Sequence, residues 1–371
     1  MRFYHTAWLG ALTVIACSSQ EVDAGGRTAR GNEHVSGMDD GGAPDGDAPD
    51  ATPGVRLTPS NLPPDICDRP GAGELNVPAN TSAALDPGVP CDALVPQRSG
   101  LPSICVRKYS KVQIAGTLAL RGSSSWPASS AVAIVATDAF LLTGSIAASG
   151  TKGTSIHPPA APDGRGNGGF YGGGAGHATA GARSGGSPAG QGGPAYPTSG
   201  TELAAGSNGG EGESFGPPPG ERGKGGGAIQ LVSCGTFELM GSVDGGGGSG
   251  GDGHRSLSGG SGGGGGGSGG TLLIEALRIT GTGAALRSLG GNGGWGGDTF
   301  AGNPGGSGGS GGTGSAPPTP GYPGGIGPTR HGGPGGGGAS VGFIRLNVPA
   351  GTPIPNLNAD PPASLGTVPT H

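Results

Sequence analysis

Residues 245–270 read GGGGSGGDGHRSLSGGSGGGGGGSGG, with an apolar segment on either side. Similar tracts run through 164–227 and 290–338. Glycine in a helix interior costs about 1 kcal/mol relative to alanine, so tracts of this kind disfavour helix. Collagen is excluded as well. Stretches such as GGSGGSGGTG at 305–314 carry two glycines in each triplet, where a collagen triplet carries one.

The apolar segments between the tracts resemble one another. Val112, Ile114, Leu118 and Leu120 alternate with small or polar residues, which is strand periodicity. Val132, Ile134, Ala136, Phe140, Leu142 and Ile146 repeat the pattern. Aligned beneath them, Ile229, Leu231, Phe237, Leu239 and Val243 fall in the same slots, and Gly144 and Ser145 coincide with Gly241 and Ser242. Another copy holds Leu272, Ile274, Ala276 and Ile279, one residue out of phase near Leu277. A last one, GFIRLNV, supplies Ile344, Leu346 and Val348. Equivalent apolar slots at repeat intervals are the mark of a solenoid, in which each turn buries its face against its neighbours.

The expected fold is therefore all-β: a short right-handed parallel β-helix over 111–349, with the glycine tracts leaving it at a corner as long loops. Such loops could be plain and flexible. Alternatively they could pack as polyglycine II, with three residues per turn and hydrogen bonds between segments, a register that 305–314 fits best. With 91 Gly and 35 Pro in 371 residues, and only 32% hydrophobic and 4% aromatic residues, a bulky core is excluded and a thin one fits.

These motifs carry a resemblance. GTLALRG, AIVATDAFLLTGSIAASG, GGGAIQLVSCGTFELMGSVDGGGGSGG and the closing GGGGASVGFIRLNV are similar to a group of uncharacterised glycine-rich bacterial surface lipoproteins with β-helical bodies. The resemblance spans 105–348 and implies an architecture. It carries over no catalytic residue.

At the N-terminus, Arg2 precedes an apolar run from Ala7 to Ala16 that ends at Cys17. About ten residues are too few to span a bilayer as a helix, and the layout is that of a signal peptide. Val14-Ile15-Ala16-Cys17 resembles the bacterial lipobox, with Val14 where leucine is favoured. By that resemblance Cys17 becomes the lipidated first residue of an exported outer-membrane or cell-surface protein, anchored in the membrane through its lipid. An ordinary signal peptide with a chance cysteine is the alternative. Residues 18–63, with Asp39, Asp40, Asp45, Asp47 and Asp50 among Gly, Ala and Pro, cannot bury enough apolar surface to offset their conformational entropy and read as a disordered acidic tether. A cysteine-bearing cap over 64–110 and a Pro-rich tail over 350–371 complete the expected organisation.

Export makes disulfides permissible. Cys67, Cys91 and Cys105 cluster ahead of the repeats, so one bridge among them is favoured, and Cys234 within a strand reads as a small buried residue. The four cysteines after Cys17 allow three pairings, which the sequence leaves open.

Little chemistry is visible. A net charge of -5 with 12% charged residues offers no basic face for nucleic acid. GERGKGG at 220–226 lacks the spacing of a phosphate loop. The seven histidines lie in the signal, tether, loops or tail with no Ser/His/Asp arrangement. Asp138, Glu238, Asp244, Glu275, Arg278, Arg287 and Arg345, in or beside the strands, read as a surface ion-pair row instead of the converging carboxylates of a polysaccharide-cleaving β-helix.

GGSGGDGHR at 247–255, with His254 where an apolar residue belongs, and GGWGGDTFA at 293–301 match the calcium nonapeptide G-G-x-G-x-D-x-U-x, which makes Asp252 and Asp298 weak candidates for calcium ligands. Real sites of that type come as consecutive repeats, and these two are isolated. Aromatics punctuate the tracts, among them Tyr171, Tyr196, Trp295 and Tyr322. Such rings either anchor a loop onto the body or stack on sugar faces. The expectation is a structural surface protein, as coat, matrix or adhesion component, without catalysis and without a cofactor. A glycan- or calcium-binding module is the alternative, and a degenerate carbohydrate enzyme comes third.

Overall fold

The structure, a computed structural model, describes residues 54–371 apart from 86–89, 98–100, 102, 121–130, 151–171, 187–188, 196–199, 214–217, 256, 258, 300–303, 314–315 and 317–332. The chain divides into two units, Met1–Pro49 and Asp50–His371. The segment read as a signal peptide, Cys17 and most of the segment read as an acidic tether lie outside the described residues.

Every element described is a strand, and apart from β3, which precedes β4 in the same sheet, strands of two sheets alternate along the chain. The first sheet holds, in spatial order, β1 (Glu74–Val77), β4 (Ile104–Ile114), β6 (Ala131–Leu142), β8 (Ile229–Leu239), β10 (Thr271–Thr280), β12 (Phe343–Val348) and β14 (Ser364–Thr367). These neighbours pair in parallel, while β3 (Ala93–Val95) lies antiparallel on β4. The second sheet is β2 (Ser82–Leu85), β5 (Thr117–Leu120), β7 (Ser145–Ala147), β9 (Ser242–Asp244), β11 (Ala285–Arg287) and β13 (Asn358–Asp360), again parallel. Among the described residues neither sheet closes on itself.

The lateral register is that of the sequence repeats. Val132 pairs with Ile229, Ile229 with Leu272, and Leu272 with Ile344. Phe140 pairs with Phe237, their rings 4.2 Å apart and tilted by 39°. In the second sheet Ile146, Val243 and Leu286 stand in one row. The irregularity expected near Leu277 is present: β10 passes from Ala276 to Arg278 while β8 passes from Ser233 to Thr236. A recurrent corner joins the sheets. The amides of Gly116, Gly144 and Gly241 donate to the carbonyls of Val77, Ile114 and Leu142 on the preceding strand, and at Gly144 and Gly241 a Cβ would overlap the backbone of the turn beneath.

One core lies between the sheets, built from Val112, Ile114, Leu118, Phe140, Leu142, Ile146, Phe237, Leu239, Ile279 and Leu286 with their neighbours. A second covers the other face of the first sheet, where Ile104, Val106, Ala133, Val135, Val232 and Leu273 meet Leu57, Leu62, Leu203 and Ala205. Strands buried on both faces explain why AVAIVA in β6 is a continuous apolar run.

Two expected boundaries move. β1 and β2 lie in the presumed cap, and β13 and β14 lie in the presumed tail, so the paired strands extend beyond 111–349 at both ends. These strands are three or four residues long in polar, Pro-containing surroundings, where alternation gives little signal. Cys91 bonds Cys105, and Cys67 bonds Cys234. Cys234 is thus bridged and not a free buried thiol. The bridge, together with Leu57, Leu62 and a ladder in which Arg56 and His371 exchange backbone hydrogen bonds and Thr58 N–H donates to Pro369 O, fixes the chain entering the body.

Candidate functional site

The glycine tracts link strands of the second sheet to the next strand of the first, and backbone hydrogen bonds join their described parts to one another. Segment 262–270 shows the rule. The amides of Gly264, Gly267 and Gly270 donate to Gly251, Gly248 and Gly245. Those of Gly262, Gly265 and Ser268 donate to Glu213, Gly210 and Ser207, and those of Gly263, Gly266 and Gly269 to Pro334, Gly337 and Ser340. Successive amides therefore serve three neighbouring segments in rotation, each contacted at every third residue.

The carbonyls of the same segment accept from further segments. Gly220, Gly223 and Gly226 donate to one row of them, and Gly291 and Gly294 to another, which Gly297 continues at Ser261. Ala175 N donates to Gly266 O, and three residues on, His177 Nδ1 donates to Gly269 O at 2.5 Å. Every residue from Gly259 to Gly270 is buried. A Cβ at Gly263, Gly264, Gly265, Gly266 or Gly267 would overlap a carbonyl oxygen of an adjacent segment. Glycine is required here by close approach of backbones, with the buried amides and carbonyls satisfying one another.

The non-glycine residues emerge on the outside with the same period. Asn292, Trp295 and Asp298 are exposed, whereas Gly291, Gly293, Gly294, Gly296 and Gly297 are buried. Trp295 is 60% exposed. Two flanking segments run beside this row. On one side Gly250 and Gly253 donate to the carbonyls of Asn292 and Trp295, bringing the exposed Ser249 and Asp252 alongside. On the other side Gly293 and Gly296 donate to Gly309 and Gly306, bringing Ser307 and Ser310 alongside. The polar side chains tie the rows together: Asp252 Oδ1 accepts from Trp295 N–H at 2.8 Å, Asp298 Oδ1 from Gly305 N–H at 2.8 Å and Asn292 Oδ1 from Gly311 N–H at 2.7 Å.

Asp252 and Asp298 thus each cap a backbone amide. Among the described residues no group of three or more His, Cys, Asp or Glu gathers as a metal site. Tyr171, Tyr196, Tyr322 and Cys17 lie outside the described residues.

Glu275, which the sequence reading placed in a surface ion-pair row, is buried in a polar cluster. Glu275 is inaccessible, and its carboxylate accepts from Ser60 N–H and Oγ–H, Gln230 Nε2–H and Asn347 Nδ2–H. Burying a carboxylate requires such compensation. Glu275 therefore holds the chain at Ser60 onto the first sheet, and the expected surface ion-pair row does not include it. The available signal was Gln230, Glu275 and Asn347 standing between apolar neighbours in three aligned strands.

His177, assigned by sequence to a loop, is also fully buried, edge-on to Phe343 with ring centroids 5.1 Å apart. Burial pushes its pKa down from 6.5 to about 4, against the opposing effect of the Gly269 carbonyl. No family model, curated protein or solved structure matches the chain.

Proposed function

We propose that Asp50–His371 is a right-handed parallel β-helix flanked by a polyglycine II bundle, and that the protein is a lipid-anchored structural component of a bacterial cell surface. The observation that carries this reading is the rotation of hydrogen bonds around segment 262–270, which gives a glycine-rich region an ordered interior built mainly of backbone. Hydrogen bonding at every third residue is what three-residue-per-turn polyglycine strands would make. The alternation of strands between two parallel sheets supports the helical winding, and parallel crossovers are overwhelmingly right-handed. Two disulfides suit an oxidising compartment, in keeping with export through the segment ending at Cys17.

We read the protein as non-catalytic. The buried carboxylate of Glu275 is engaged by protein donors, which suits a latch better than an acid or base. Release of sugars from any member of a polysaccharide panel would contradict this.

The anchoring is tested by labelled palmitate and membrane fractionation. The full chain is expected to incorporate label and sediment with membranes, and the Cys17→Ala chain to do neither. An unlabelled wild-type chain would overturn the lipoprotein reading.

A further inference from the structure

Trp295 is the exposed aromatic ring described on the glycine bundle, and its surroundings single it out. Along its row the next outward side chains are Asn292 and Asp298, each three residues away, about 9 Å at the rise of an extended three-fold strand. The positions between them are buried glycines, so nothing rises beside the indole along the row.

The flanking rows contribute Asp252 on one side and Ser307 and Ser310 on the other. Asp252, Asp298 and Asn292 have each used one oxygen on a backbone amide, which fixes their orientation. What remains to face outward is the second carboxylate oxygen of each aspartate and the amide nitrogen of Asn292. A largely exposed aromatic ring thus stands between acceptors and a donor whose side chains are held by backbone contacts.

We propose that this face binds an extended neutral polysaccharide. One sugar ring would lie against the Trp295 indole, and hydroxyls of neighbouring sugars would reach Asn292, Asp298 and Asp252. The chemistry selects this class in three ways. A sugar ring offers an apolar C–H face to an aromatic surface and hydroxyls at its rim, the combination that an amphipathic aromatic site accommodates. The in-line outward positions suit a chain more than a single sugar. Around the indole the outward side chains Ser249, Asp252, Asn292, Asp298, Ser307 and Ser310 include two carboxylates, and Arg255, exposed three residues past Asp252, is a cation on the same row, so acidic groups outnumber basic ones and uronic-acid polymers are disfavoured by like-charge repulsion.

This goes beyond the structural role. A failure of binding would leave the glycine bundle and the Cys17 anchor untouched. A full-length Cys17→Ser chain, kept soluble, is titrated with cellohexaose and with polygalacturonate by calorimetry, alongside Trp295→Ala and Trp295→Phe.

Saturable binding of cellohexaose is expected, at least tenfold weaker in Trp295→Ala and partly restored in Trp295→Phe, with no heat from polygalacturonate. Circular dichroism and urea midpoints matching the parent would exclude misfolding. Absence of cellohexaose binding, equal affinity in Trp295→Ala, or equal binding of polygalacturonate would each overturn the proposal.

Discussion

Ala175 and His177 stand on one side of segment 262–270 and between them supply donors to two carbonyls three residues apart, Gly266 O from a backbone amide and Gly269 O from an imidazole. The side chain takes over a place in the bundle that a glycine amide fills elsewhere. Its burial has a consequence for stability. The folded state holds the His177 pKa at about 4 against 6.5 for an ordinary histidine. Between those values the unfolded chain takes up a proton that the folded chain refuses. Stability is therefore unaffected above about pH 7 and falls as the pH drops through 6.5 toward 4. At pH 4.5 the loss attributable to this group is about 2 to 3 kcal/mol. Urea denaturation at pH 7.5 and 4.5 is expected to show that much less acid destabilisation in His177→Asn, which keeps a donor without the titration. Equal pH dependence in the two proteins would remove His177 from this role. The sequence offered no hint of this burial, because the glycines around the histidine carry no apolar pattern to mark an interior.

At the scale of elements, the rows through Val132, Ile229, Leu272 and Ile344 and through Phe140 and Phe237 were legible because each repeat presents its side chains to the same neighbours. Even the one-residue slip at Leu277 could be read from spacing alone. The short strands β1, β2, β13 and β14 could not, since three or four residues carry too little alternation. Nor could the partner of Cys234, which is set by how the chain ahead of β1 crosses the outer face of the first sheet. That bridge closes a loop with a sequence separation of 167, against 14 for Cys91–Cys105. On the chain-entropy account the longer loop contributes about 5 kcal/mol and the shorter about 3. Replacing Cys67 and Cys234 by serine is therefore expected to lower the urea-denaturation free energy more than replacing Cys91 and Cys105. The reverse order would mean that the entering chain adds little to the folded state beyond its local contacts.

For the molecule as a whole, two kinds of order share one unit. In the sheets, side chains decide which strand meets which, and the sequence displays that decision. In the glycine tracts the backbones themselves pack, and a tract of bare glycine carries no mark of its partner. The GGX period at 305–314 suggested how such a segment would be built. It did not say that 262–270 would be the buried centre, or that 290–297 would lie between 305–312 and 262–270. The strands that hold each tract at its ends supply that register. Hydrogen exchange followed by mass spectrometry tests this most directly. If the tracts are ordered, the amides of 262–270 exchange no faster than those of β8 and β10, because each is buried and bonded to a neighbouring segment. Complete exchange of 262–270 within seconds, with β8 and β10 still protected, would contradict the account.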